Sequence, residues 1–152
     1  RALRMIPSFF AAHVYHWGDV HIENFGLKRA ARISPLASAL REGIPFTLHQ
    51  DTPVIAPDMF ETIWCAANRM TKKGVLLGAE ERIGVYEALR AVTANAAYQY
   101  HKEAEKGTLS AGKRADFIRL DRSPLAVPKE EVCSIRIKET YKDGNRVWRA
   151  QA

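Results

Sequence analysis

The chain has 152 residues, 47% hydrophobic and 26% charged, a composition that supports about one globular domain and excludes collagenous and low-complexity classes. No stretch approaches about 18 uninterrupted apolar residues, so no segment reads as a membrane span. Twenty-three Lys and Arg against 17 Asp and Glu give +6, but both signs are interleaved along the basic C-terminal third, which argues against a polyanion groove and a nucleic-acid partner.

Met5 to Val14 is an apolar run rich in Phe, predicted as a buried strand interrupted by Pro7, and His13 to Asn24 is predicted as the polar loop that follows. Ser34-Pro35 reads as an N-cap with proline at the first helical position, opening a short helix with Leu36, Ala39 and Leu40 on one face and Gly43 as its stop. Ile44 to Leu48 is a compact strand, closed by the polar cluster His49-Gln50-Asp51-Thr52-Pro53. Asp58 to Met70 sets Phe60, Ile63, Trp64 and Ala67 on one helical stripe, and Val85 to Val92 does the same with Val85, Ala88, Leu89 and Val92. Thr93-Ala94-Asn95 breaks that helix, with Asn95 expected to cap a short continuation through Tyr100. Ala115 to Leu120 and Val132 to Thr140 read as strands, and Asp143-Gly144 as a hairpin turn into Val147-Trp148. Glu103 to Gly112 is the natural boundary between the two kinds of pattern.

Polar chemistry gathers at His13, His16, Asp19 and His21, four potential ligands within nine residues. The spacing of His16 and His21 matches paired zinc histidines, but no cysteine or HExxH frame accompanies them, and a substrate-facing loop walled by Tyr15 and Trp17 is the favoured reading. Asp51 follows a helix-then-strand unit directly, the position of catalytic residues in parallel α/β barrels. A carboxylate there can ligate a metal or take a proton from water; the alternative is an Asx-turn that only organises Thr52-Pro53. Gly107 to Lys113 reproduces the glycine and lysine spacing of a phosphate loop, but Arg114 replaces the required Ser or Thr and a strand follows instead of a helix, so a nucleotide site is rejected. Cys65 reads as a small core residue. Cys65 and Cys133 form no CxxC, which excludes a disulfide scaffold and fits a reducing, cytoplasmic compartment.

Five segments in order carry a family resemblance: Phe9-Phe10-Ala-Ala-His13-Val-Tyr15-His16-Trp17-Gly18-Asp19; Ala30-Ala-Arg32-Ile33-Ser34-Pro35; Phe46-Thr-Leu-His49-Gln-Asp51-Thr-Pro53-Val54; Glu87-Ala88-Leu89 with Thr93 and Asn95-Ala-Ala97; and Lys106-Gly107 through Gly112-Lys113-Arg-Ala115-Asp116. Together they resemble the C-terminal part of an amidohydrolase family 3 enzyme, of the YtcJ-like and AepA-like group. The resemblance implies an α/β fold: the C-terminal part of a TIM-like (β/α)8 barrel over residues 1–102, then strands of a small β-sandwich over 103–152. Met5 to Phe10 would be barrel strand seven and Phe46 to His49 strand eight.

By the same resemblance, Asp51 is a metal ligand and the general base, and His13, Trp17 and Asp19 shape the substrate pocket. The resemblance also implies a divalent metal, with zinc the expected ion, and small amide-like substrates such as N-acyl or N-formyl amines or cyclic amides. A whole barrel takes about 250 residues, and the family's remaining metal ligands are expected upstream of Arg1, with the authentic start and any leader. These 152 residues alone are therefore expected to be inactive, to hold no metal by themselves and to self-associate through uncovered edges. The competing reading is a non-catalytic binding or regulatory domain derived from the same fold.

Overall fold

The computed structural model describes Leu3 and residues 5–151. The first apolar run yields a strand of only two residues, β1 (Ser8–Phe9), and Ala11 and Ala12 then bury completely as the chain turns. The predicted loop is a helix, α1 (His13–Phe25). Its signal is a four-residue repeat of Val14, Gly18 and Ile22 facing the interior, which the polar residues on the other faces conceal. Glycine at position 18 has a packing reason: an added Cβ would lie 2.7 Å from Thr71 Cγ2 and 3.2 Å from Leu77 Cδ2.

A single turn, α2 (Leu27–Ala30), leads to α3 (Leu36–Arg41). Ser34 does not cap α3: it sits at φ 46°, and its hydroxyl donates to the Phe10 carbonyl at 3.2 Å. Leu36 and Ala39 bury as expected, but Leu40 is 41% exposed because so short a helix turns only one narrow face inward. Gly43, at φ 60°, ends the segment. The next strand, β2 (Thr47–Leu48), pairs parallel to β1 in the register Ser8 with Thr47 and Phe9 with Leu48. The α1–α3 segment is thus the crossover that a parallel pair requires.

Helix α4 (Met59–Asn68) is opened by Asp58, whose carboxylate accepts from the Phe60 and Glu61 amides, and is closed by Arg69 in the left-handed conformation. Phe60, Ile63 and Ala67 are buried as the stripe predicts. A 3-10 turn at Ala79–Glu81 precedes α5 (Val85–Val92), which has the predicted bounds. In α6 (Ala94–Gln99), Asn95 lies inside the helix, and its amide donates to the Phe46 carbonyl at 2.9 Å instead of capping, which ties α6 to the β2 segment.

The last third forms an antiparallel sheet of β3 (Phe117–Leu120), β4 (Ile137–Lys142) and β5 (Asn145–Arg149), in that order. Lys129–Ser134, partly predicted as strand, is a 3-10 helix with Val132 buried against the core. It packs on α4, where Trp64 Nε1 donates to the Glu130 carbonyl at 3.1 Å and Asn68 Nδ2 to that of Lys129 at 3.0 Å. The Asp143-Gly144 turn is as predicted, with φ of 50° and 79°. One core runs through Leu36, Phe46, Leu48, Phe60, Ile63, Cys65 and Val132. Burial pushes the Cys65 thiol well above its ordinary value, which suits an inert core residue. No helix among the described residues is long and apolar enough to cross a membrane.

Candidate active site

Because β1 and β2 are parallel, their C-terminal ends deliver Phe10 to His13 and His49 to Asp51 to one edge. An aromatic cluster forms there. Phe10 stacks on His13 at 5.3 Å between centroids and on His49 at 5.5 Å, while Trp17 packs against His13 at 5.2 Å and Phe10 at 5.8 Å. His49 Nδ1 shares a hydrogen bond with Ser8 Oγ at 2.8 Å. Burial, and after it the neighbouring His21, hold His13 below the usual imidazole range, so it is predominantly neutral at pH 7.

Asp51 is exposed and left-handed at φ 55°, a conformation aspartate tolerates better than most residues. The turn after it is closed by its backbone: Val54 N donates to the Asp51 carbonyl at 2.8 Å. Its carboxylate makes no hydrogen bond or ion pair among the described residues, and the loop is anchored by its neighbour, the buried Gln50, whose amide donates to the Asp58 carbonyl. The Asp51 side chain is therefore free to serve an external group.

The other predicted residues divide. Asp19 turns to the segment after α4, where Oδ1 accepts from Thr71 Oγ1 at 2.7 Å and Oδ2 from Lys73 N at 3.1 Å. His16 Nε2 meets Glu61 Oε1 at 2.8 Å, and His21 Nε2 lies 3.3 Å from His13 Nε2. The four-residue cluster read from the sequence is thus not one ligand set, and no group of three or more His, Cys, Asp or Glu suited to a metal occurs among the described residues. Asp51 fits a metal as one ligand in a larger set, not as a site by itself. Sequence reasoning missed Phe10 as the link between the two loops, and Glu61 and Thr71 as partners; the latter lie 45 and 52 positions from the residues they hold.

A family model described as the amidohydrolase family matches residues 1–148. The chain belongs to the amidohydrolase family. This amidohydrolase chain is 32% identical over 135 residues to the N-substituted formamide deformylase of Arthrobacter pascens, covering 86% of itself and 24% of that protein. It is 27% identical over 150 residues to the putative amidohydrolase YtcJ of Bacillus subtilis, covering 97% of itself and 28% of the relative. Among solved structures, an uncharacterized metal-dependent hydrolase from Pyrococcus furiosus matches with a TM-score of 0.65 at 27% identity, over 82% of this chain and 25% of that one. The amidohydrolase chain therefore spans about a quarter of the length of these relatives.

A cleft of about 950 Å³ lies elsewhere in this amidohydrolase chain, between α5–α6 and β3, lined by Val92, Ala97, Tyr100, Lys106, Leu109 and Phe117 among others. None of the predicted site residues borders it.

Proposed function

We propose that this chain forms the closing part of the active site of a metal-dependent amidohydrolase that cleaves C–N bonds in small amide-like molecules. In this reading Ser8–Phe9 and Thr47–Leu48 are barrel strands seven and eight, residues 1–102 complete the barrel, and 103–152 contribute to a β-sandwich. The observation that carries it is the unpartnered Asp51 carboxylate at the C-terminal end of a parallel strand, beside the aromatic cluster of the neighbouring strand.

Asp51 would be one ligand of a divalent metal, zinc being the expected ion, with the other ligands supplied from outside these residues. When bound, that metal supplies Lewis-acid polarisation of the substrate carbonyl. The carboxylate of Asp51 takes the proton of the attacking water and delivers it to the departing nitrogen, the work of a general base that becomes a general acid. Phe10, His13 and Trp17 offer an apolar wall with a neutral imidazole to orient the substrate, and Asp19 supports that wall from behind by fixing α1 to the Thr71 turn. The 152 residues alone are inactive in this reading. The free thiols Cys65 and Cys133 accord with a cytoplasmic setting, and the open edges of β3 and β5 favour self-association of the isolated chain.

The test is Asp51→Asn in the full-length protein, assayed on N-substituted formamides and other simple amides. Loss of kcat by about 10²–10⁴ with an unchanged melting temperature is expected; wild-type turnover in the variant would overturn the assignment and leave the binding-module reading.

A further inference from the structure

Helix α1 carries a stripe in which imidazoles and aromatic rings recur every four residues: His13, Trp17, His21 and Phe25. His13 and His21 are eight residues apart, which is about 12 Å along a helix axis. Their Nε2 atoms are nonetheless only 3.3 Å apart, so both side chains lean toward one point. Each ring is also packed by other neighbours: His13 between Phe10 and Trp17, His21 against Phe25 at 5.6 Å.

The two rings meet edge to face at 4.7 Å between centroids, with a long hydrogen bond between their Nε2 atoms, and the opposite nitrogen of His21, Nδ1, is buried without a partner, so hydrogen bonding does not fix that ring from its other side. Two imidazole nitrogens on a single tetrahedral cation, each at about 2.0–2.1 Å, stand about 3.3–3.4 Å apart. The measured separation matches that bite.

We propose that His13 and His21 form a two-imidazole site for a borderline divalent cation such as zinc, its remaining positions filled by water or a small ligand. Imidazole donors suit Zn²⁺, Cu²⁺ and Ni²⁺ over Mg²⁺ or Ca²⁺. The site is separate from the ligand role proposed for Asp51, whose carboxylate takes no part in it, and it stands whether or not that role does. With two protein ligands it is a weak site that fills reversibly, in contrast to a closed structural one.

The experiment is a Zn²⁺ titration of the 152-residue chain, followed by long-range ¹H–¹⁵N correlation spectra of its five histidines. The expected result is one equivalent bound, with the Nε2 resonances of His13 and His21 shifted and both rings moved to the Nδ1–H tautomer. A hydrogen-bonded pair instead keeps one ring protonated at Nε2. His13→Ala and His21→Ala are each expected to weaken binding by more than about tenfold, the least that losing a ligand costs when outer-shell losses already cost 10–100-fold. Asp51→Asn and His16→Ala are expected to leave it unchanged. Since the tautomer readout uses the unmodified chain, it holds even where a variant misfolds. Absence of binding, coordination by His16, His49 or His101, or binding that survives His21→Ala in a folded variant would overturn the proposal, and sensitivity to Asp51→Asn would transfer the ion to the other site.

Discussion

Arg69 brings a positive charge into the interior with no carboxylate in contact, its side chain fully buried. It is held by neutral acceptors: Nε donates to the Leu77 carbonyl at 2.8 Å, Nη1 to Ser34 at 2.9 Å, and Nη2 to Ile33 at 2.8 Å and Ala31 at 3.2 Å. Burial lowers its pKa and the nearby Glu81 and Glu80 raise it, but a guanidinium stays charged throughout. The residue thus organises the whole α2–α3 connection from the end of α4. Arg69→Met would leave the Leu77, Ala31 and Ile33 carbonyls without donors, Ser34 keeping the Leu36 amide, and a loss of at least about 3 kcal/mol is expected in urea unfolding, several groups each costing about 1–3. An unchanged midpoint and slope would contradict the cage.

At the scale of elements, α4 depends on its cap. Asp58→Ala removes both bonds to the first-turn amides and should cost about 1 kcal/mol, read as a lower denaturation midpoint; the Gln50 bond to the Asp58 carbonyl survives that change. The C-terminal sheet depends on Glu139, whose side chain is 8% exposed and meets Arg119 at 2.9 Å, Tyr141 Oη at 2.9 Å and Arg146 at 3.3 Å. The Arg119 hydrogen bond first, then that of Tyr141, holds this carboxyl down to about 2 from its ordinary 4.5. A depressed folded value means that its contribution is complete above about pH 4.5 and is lost as pH falls toward 2. Trp148 fluorescence on β5 should report loosening across that window, and Glu139→Gln should flatten the response; an identical profile in the variant would refute the linkage.

Elements with a clean stripe, α4 and α5, were readable from the sequence because tertiary contacts agree with local periodicity. Helix α1 was not, since four ligand-type side chains suggested a loop while the buried repeat of Val14 and Gly18 depends on a glycine chosen for contact with Thr71. Lys129–Ser134 was misread because Val132 and Ile135 bury with either backbone. At the proposed site, the place of Asp51 after a helix and a strand and the density of polar and aromatic residues around His13 and Trp17 are what mark them as candidates in the sequence. The destinations of His16 and Asp19 were not legible, because long-range partners leave no mark in local spacing.

For the molecule as a whole, β3 and β5 are the outer strands of their sheet, and β5 exposes Val147 at 60% and Trp148 at 50%. Sedimentation velocity of the isolated chain should show a coefficient that rises with concentration, and Val147→Lys should shift it toward monomer; a concentration-independent monomer would refute self-association. The joint between the helical part and this sheet has a further consequence. Trp64 and Asn68 grip only main-chain oxygens of residues 129 and 130, so the side chains there are free to drift without loosening the seam. A foreign segment docked on α4 would need to present two carbonyls at that spacing and an apolar side chain in the place of the buried Val132.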